Sequence, residues 1–214
     1  MIQLENVNKK IKGKMVLQDI NLTLESGKTY GLRGINGSGK TMLMRMIAGL
    51  IYPDSGRVLV DGKCLGRDIS FPEHMGLLIE NPVFLDSYTG MQNLRLLAEL
   101  NGNAEESAIR NVLERVGLDP DDKRKYRKYS LGMKQRLGIA SAVMEEPQIL
   151  ILDEPLNALD KDGIELFEKI LFERKGKNCL IVLACHDEQK LLKYADRIIE
   201  VENGRCSEPV NVSD

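Results

Sequence analysis

The feature that most restricts the fold is the octapeptide Gly34-Ile35-Asn36-Gly37-Ser38-Gly39-Lys40-Thr41. Its glycines let successive backbone N–H groups turn inward and approach an anion closely. The pattern works only between a strand and a helix, whose positive end then faces the same charge. The flanks comply: residues 29–33 read as a short strand, and residues 42–50 carry apolar side chains at helical spacing with Gly49 near the end. The loop predicts a phosphate cradle of Gly34, Ile35, Asn36, Gly37, Ser38, Gly39, Lys40, Thr41 and Met42. Lys40 would meet the terminal phosphates, and the Thr41 hydroxyl would bind Mg²⁺.

The remaining pattern surrounds that loop with a layered fold. Ile2, Leu4 and Val7 suggest one short strand and residues 15–24 a second. Turn signals at Pro53-Asp54-Ser55-Gly56 and Asp61-Gly62 bracket a strand over 57–60, read as antiparallel sheet. Residues 75–79 are a buried-strand candidate. From 91 to 116 the period is helical, with Leu94, Leu97, Ala98, Ile109, Val112 and Leu113 apolar, and another helix is expected over 131–144. Residues 149–152 and 180–183 are short runs rich in Ile, Leu and Val, which fit central parallel strands covered on both faces. Residues 196–201 suggest a late strand. The expected fold is α/β, a P-loop NTPase core with a mostly parallel sheet and an antiparallel β subdomain. That core would span 1–81 and 147–214, with a helical lobe inserted over 82–146.

Composition narrows the partners. With 214 residues, 43% hydrophobic and 29% charged, the chain reads as one globular domain, or one domain with an inserted lobe. A net charge of −2 gives no basic field, so no nucleic-acid partner is expected. The basic run over 123–128 follows Asp119, Asp121 and Asp122 and is read as a solvated face. Cys64, Cys179, Cys185 and Cys206 form no metal-ligand spacing and are expected as free thiols. The apolar run 180–185 falls far short of the roughly 20 residues a membrane helix needs. Residues 1–10 alternate apolar and polar side chains and lack a signal core. The chain is therefore not expected to cross a membrane by itself.

Two further features could carry chemistry. The strand over 149–152 ends in Asp153-Glu154. At a strand's carboxyl end Asp153 can hold Mg²⁺, and Glu154 can accept a proton from attacking water. A solvated strand end is the plain alternative, weakened here by the phosphate loop in the same chain. Ser130 precedes Leu131-Gly132-Met133-Lys134-Gln135-Arg136 and stands where a helix N-cap belongs.

Taken in order, these motifs resemble those of the nucleotide-binding subunit of an ATP-binding cassette (ABC) transporter, over nearly all of the chain. Residues 34–41 resemble Walker A, 130–136 the family signature and 149–154 Walker B. Asn157-Ala158-Leu159-Asp160 resembles the D-loop, and His186 the switch histidine. The resemblance implies an ATPase that uses ATP and Mg²⁺. Two copies would stack head to tail, with Ser130 and Gly132 of one reaching the ATP on the other's phosphate loop. Glu154 would be the catalytic base, and His186 would contact the γ-phosphate. A membrane-spanning permease on a separate chain would be the partner, and the subunit would sit on the inner face of the cell membrane. The short chain and its signature variant resemble exporters of drugs or antimicrobial peptides. The competing reading is a soluble ABC ATPase acting on DNA, ribosomes or cluster assembly.

The chain departs from the family at three places. The residue usually offering a ring to adenine corresponds to Ile11, which gives packing without stacking. The signature carries Leu131 and Met133 where glycine and glutamine are usual. The glutamine usual after the strand over 75–79 is Glu80, expected as a charged ligand to Mg²⁺.

Overall fold

The computed structural model describes residues 1–80, 82–100 and 105–212. It opens with two long strands, β1 (Ile2–Ile11) and β2 (Lys14–Leu24), joined at Lys12-Gly13. Both turn residues have positive φ, 48° and 80°, the backbone that matches strand twist in a two-residue hairpin. Next come β3 (Thr29–Arg33), α1 (Lys40–Ile47), β4 (Ser55–Val60), β5 (Lys63–Cys64) and β6 (Met75–Leu78). Then follow α2 (Gly90–Leu100), α3 (Glu106–Arg115), a 3-10 turn at Tyr126–Lys128 and α4 (Leu131–Val143). The chain continues through β7 (Ile149–Asp153), α5 (Lys161–Gly176), β8 (Leu180–Ala184), α6 (Glu188–Tyr194), β9 (Arg197–Glu202), β10 (Arg205–Cys206) and β11 (Val210–Asn211).

The strands form two sheets. One is antiparallel, in the order β2-β1-β4-β5. The other runs β10-β9-β3-β8-β7-β6, with β11 also on β9. Its β6, β7, β8, β3 and β9 are parallel, and β10 and β11 pair antiparallel with β9. Every residue of β7 and β8 is buried. Alternation along β7 explains why both faces need covers: Leu150 and Leu152 join one core, Ile149 and Ile151 the other. The first core is closed by Leu94 of α2, Ile109 and Val112 of α3, and Leu137 and Val143 of α4. The second is closed by Leu43 and Met46 of α1 and by Ile2, Leu4 and Ile20 of the antiparallel sheet. Each such buried Leu or Ile contributes about 1.5–3 kcal/mol.

Several boundaries differ from the sequence reading. The first strand runs on to Ile11, because hairpin pairing with β2 extends it beyond the apolar positions. The helical period over 91–116 is two helices, α2 and α3. Asn81, last residue of the expected first core segment, and the terminal residues 213–214 lie outside the described residues. The four cysteines are free thiols. Among the described residues no helix is long and apolar enough to cross a membrane.

Candidate functional site

A cavity of about 690 Å³ opens where α1 meets the carboxyl ends of β6, β7 and β8. The loop leading into α1 lies very close to its neighbours. A Cβ on Gly34 would meet the Val201 carbonyl oxygen at 2.2 Å. Gly39, the N-cap of α1, has φ 118°, and a Cβ there would come within 3.2 Å of the Val16 carbonyl oxygen. Only glycine accommodates these two positions. The late hairpin between β9 and β10 braces the loop, with the Gly204 N–H donating to the Ser38 carbonyl at 2.8 Å.

Within the loop, the Lys40 ammonium donates to the carbonyls of Gly34 (2.6 Å) and Ile35 (3.2 Å). The Ser38 hydroxyl is buried and has no hydrogen-bond partner. The first turn of α1 contains no acid, so its positive end is free to meet an anion. Asn36, Gly37, Gly39, Lys40, Thr41 and Met42 line the cavity; Gly34, Ile35 and Ser38 shape the loop from outside the lining. Ile35 is 79% exposed.

The acids stand opposite. Thr41 donates its hydroxyl to Asp153 Oδ2 at 2.6 Å. These two oxygens, one neutral and one anionic, suit a hard divalent cation whose other ligands are phosphate oxygens and water. Among the described residues no group of three or more His, Cys, Asp or Glu side chains could hold a metal. The Thr41 and Asp153 oxygens fit a cation that shares its remaining coordination with phosphate oxygens and water.

Glu154 has left-handed backbone, φ 51°, tied by its N–H to the Ala184 carbonyl at 3.0 Å. This turn aims the side chain back into the cavity, where it is only 17% exposed. Its Oε2 accepts the His186 N–H at 3.0 Å, and His186 Nε2 lies 3.6 Å from Oε1. Burial pushes the Glu154 carboxyl above the usual range, with Asp153 adding to the rise and His186 opposing it. A partly desolvated carboxylate with a raised pKa is suited to accept a proton near neutral pH.

One expected residue lies outside the cavity, and another lines it with an ion-pair partner. Ile11 is not among the residues lining the cavity; Lys14, Met15 and Val16 are. The turn at Lys12-Gly13 pairs Ile11 across from Lys14 and leaves it 37% exposed at the hairpin end. Glu80 does line the cavity, yet its Oε1 accepts from Arg45 Nη2 at 2.7 Å. Glu80, expected as a charged metal ligand, thus stands at the cavity wall as the ion-pair partner of Arg45.

Ser130 and Gly132 lie outside the cavity. Ser130 caps α4 by accepting the Met133 N–H at 3.2 Å. Both residues line a separate depression of about 390 Å³ together with Arg136, Ala158 and Asp160. The loop over 157–160 thus spans two places, since Asn157 lines the cavity and Ala158 the depression. Arg136 fixes that loop by donating to Asp160 Oδ1 at 2.6 Å and to the Val116 carbonyl at 3.1 Å.

Sequence reasoning missed several lining residues. Gln135 is buried and donates to the Pro155 carbonyl at 3.0 Å, which ties α4 to the segment after β7. Asn203 and Gly204 line the far wall; their Asn-Gly pair was available as a turn signal. Lys14 and Met15 had no local signal at all, nor did Arg45, which reaches the site only through Glu80.

Comparison with known proteins agrees with this geometry. The ABC transporter family model matches residues 17–157. "Uncharacterized ABC transporter ATP-binding protein YybJ" of Bacillus subtilis (strain 168) is 43% identical over 205 residues, covering 96% of this chain and 94% of that protein. "Bacitracin transport ATP-binding protein BcrA" of Enterococcus faecalis is 39% identical over 216 residues, covering 100% of this chain and 70% of that protein. A solved structure described as the ATP binding subunit of an ABC transporter superimposes with a TM-score of 0.88 at 26% identity, over 99% of this chain and 90% of that one. The chain belongs to the ABC transporter family and is one of its ATP-binding, ATP-hydrolysing subunits.

Proposed function

We propose that this ATPase works as a head-to-tail pair of identical chains and drives export of a peptide antibiotic through a permease made by another polypeptide. The observation that carries the pairing is the separation of Ser130 and Gly132 from the cavity that holds Lys40, Thr41 and Glu154. Ser130 and Gly132 sit at the positive end of α4 on the chain's surface. A γ-phosphate held by the phosphate loop of a second copy supplies the anion that such a helix end favours.

In this reading the loop over 34–41 and Lys40 bind the phosphates of ATP, and Met15 and Val16 pack against the base. Thr41 and Asp153 hold Mg²⁺. The cation, when bound, offsets the charge on the phosphate oxygens. Glu154 takes a proton from the water that attacks the γ-phosphorus. The bond to the bridging oxygen breaks, ADP keeps that oxygen, and phosphate leaves. His186 orients the water and the γ-phosphate. The loop over 157–160 couples the cavity of one copy to the depression serving the other. The segment over 82–146 forms a lobe that receives the permease, and the assembly lies on the inner face of the cell membrane.

The cargo assignment is supported by the bacitracin-transport relative, which covers the whole of this chain. The competing reading, an ABC ATPase acting outside transport, draws no support from that relative. The test is antibiotic sensitivity. In the native host, deletion of the gene should lower the inhibitory concentration of bacitracin-like peptides about fourfold or more. The parent gene should restore it and Glu154→Gln should not, since loss of a catalytic base costs about 10²-fold in rate. Unchanged sensitivity across a panel of peptide antibiotics would remove the cargo assignment.

A further inference from the structure

The Arg45–Glu80 pair occupies a particular place. Arg45 follows Thr41 by four residues on α1, so the two side chains leave the same face one turn apart. Thr41 reaches Asp153 at the end of β7, and Arg45 reaches Glu80 just past the end of β6. These strands are neighbours, and Leu78 is in register with Leu152. Glu80 and Glu154 each stand two residues beyond that pair. Both take left-handed backbone, with φ 59° and 51°. The site therefore presents two glutamates at equivalent positions on adjacent strand ends, with Asp153 beside them.

These three carboxylates face a cavity built for a polyanion, and each has a different partner. Asp153 takes a hydroxyl, Glu154 a backbone N–H, and Glu80 a guanidinium. Arg45 is the permanently charged member of that set. The pair is accessible, with side-chain exposures of 34% and 61%, so it is weak and readily exchanged.

We propose that Arg45 is a positioning residue whose ion pair keeps Glu80 neutralised beside the phosphate loop and so sets how strongly ATP binding depends on the divalent cation. Without Arg45, the full charge of Glu80 faces the phosphates of metal-free ATP and repels them. The same unpaired charge attracts a cation more strongly. A neutral glutamine at this position has neither effect, so Arg45 matters only while residue 80 is acidic.

The test is a double-mutant cycle of the parent, Arg45→Gln, Glu80→Gln and the double variant, with Arg45→Lys as the charge-conserving control. ATP binding is measured by calorimetry in excess chelator, and the free Mg²⁺ giving half-maximal turnover is titrated separately. Arg45→Gln should weaken metal-free ATP binding about three- to tenfold, the scale of one screened charge interaction, and should lower the Mg²⁺ requirement. Arg45→Lys should stay within about twofold of the parent, because it keeps the charge. The double variant should bind metal-free ATP within about twofold of Glu80→Gln, because the coupling is pairwise. Equal losses from Arg45→Gln in both backgrounds would show Arg45 acting on the nucleotide itself and overturn the proposal. No loss in the Glu80 background would overturn it as well. If the parent failed to bind ATP with Mg²⁺, the assignment of this cavity would fall first and the proposal with it.

Discussion

Glu154 combines a cost in stability with the catalytic role proposed for it. Its left-handed backbone is an uncommon state for a non-glycine residue, and burial holds its carboxyl above the usual range. A raised carboxyl pKa makes the folded state bind its proton more tightly than the unfolded state does. Stability from this group is complete below the unfolded pKa and is lost as pH rises through the folded value. Glu154→Gln should therefore melt at a higher temperature than the parent at pH 8, and the difference should shrink as the pH approaches 4. Turnover should fall about 10²-fold or more in the same variant while ATP still binds. Melting curves across pH and a phosphate-release assay check both statements; normal turnover would move the base elsewhere. At this scale the sequence was most legible where one residue type has one use. Lys40, Thr41, Asp153 and Glu154 were read from spacing alone, and all four line the cavity. Arg45 was illegible, because four residues along a helix give its face and not the strand end opposite.

Among the elements, the β1–β2 hairpin forms one wall of the cavity and, in the proposed reading, contacts the base. Counting along the sequence pointed to Ile11, but the two-residue turn brings Met15 and Val16 to the cavity instead. The β9–β10 turn supplies the other wall with Asn203 and Gly204. No Phe, Tyr or Trp lines the cavity among the described residues, so a base bound there would lack ring stacking worth about 0.5–1.5 kcal/mol. GTP should then support turnover within about tenfold of ATP. Met15→Ala should weaken ATP binding about three- to tenfold through lost apolar packing, whereas Ile11→Ala should stay within about twofold. Equal effects at the two positions, or a strong preference for ATP, would show that the base lies elsewhere. Strands β7 and β8 were plain in the sequence because burial on both faces leaves an unbroken apolar run. The division of the 91–116 pattern into α2 and α3 was not, since both helices carry the same apolar period.

The whole molecule contains a cavity with Lys40, Thr41 and Glu154 and, apart from it, a depression with Ser130 and Gly132. The resemblance of the motifs led to the expectation that these residues act together, whereas their separation on one chain depends on how α4 and the loop over 157–160 fold back, which spacing does not encode. In the proposed pair, two chains complete each other's sites around ATP. Light scattering of size-exclusion fractions of Glu154→Gln with ATP and Mg²⁺ tests it most directly, because slowed hydrolysis preserves the bound state. The mass should shift from the single-chain value of 24.0 kDa to twice that value on adding ATP. Adding Ser130→Arg in the same background should abolish the shift while each chain still binds ATP. A Glu154→Gln chain that remains single at saturating ATP, or a Ser130→Arg variant that pairs as well as its parent, would contradict the account.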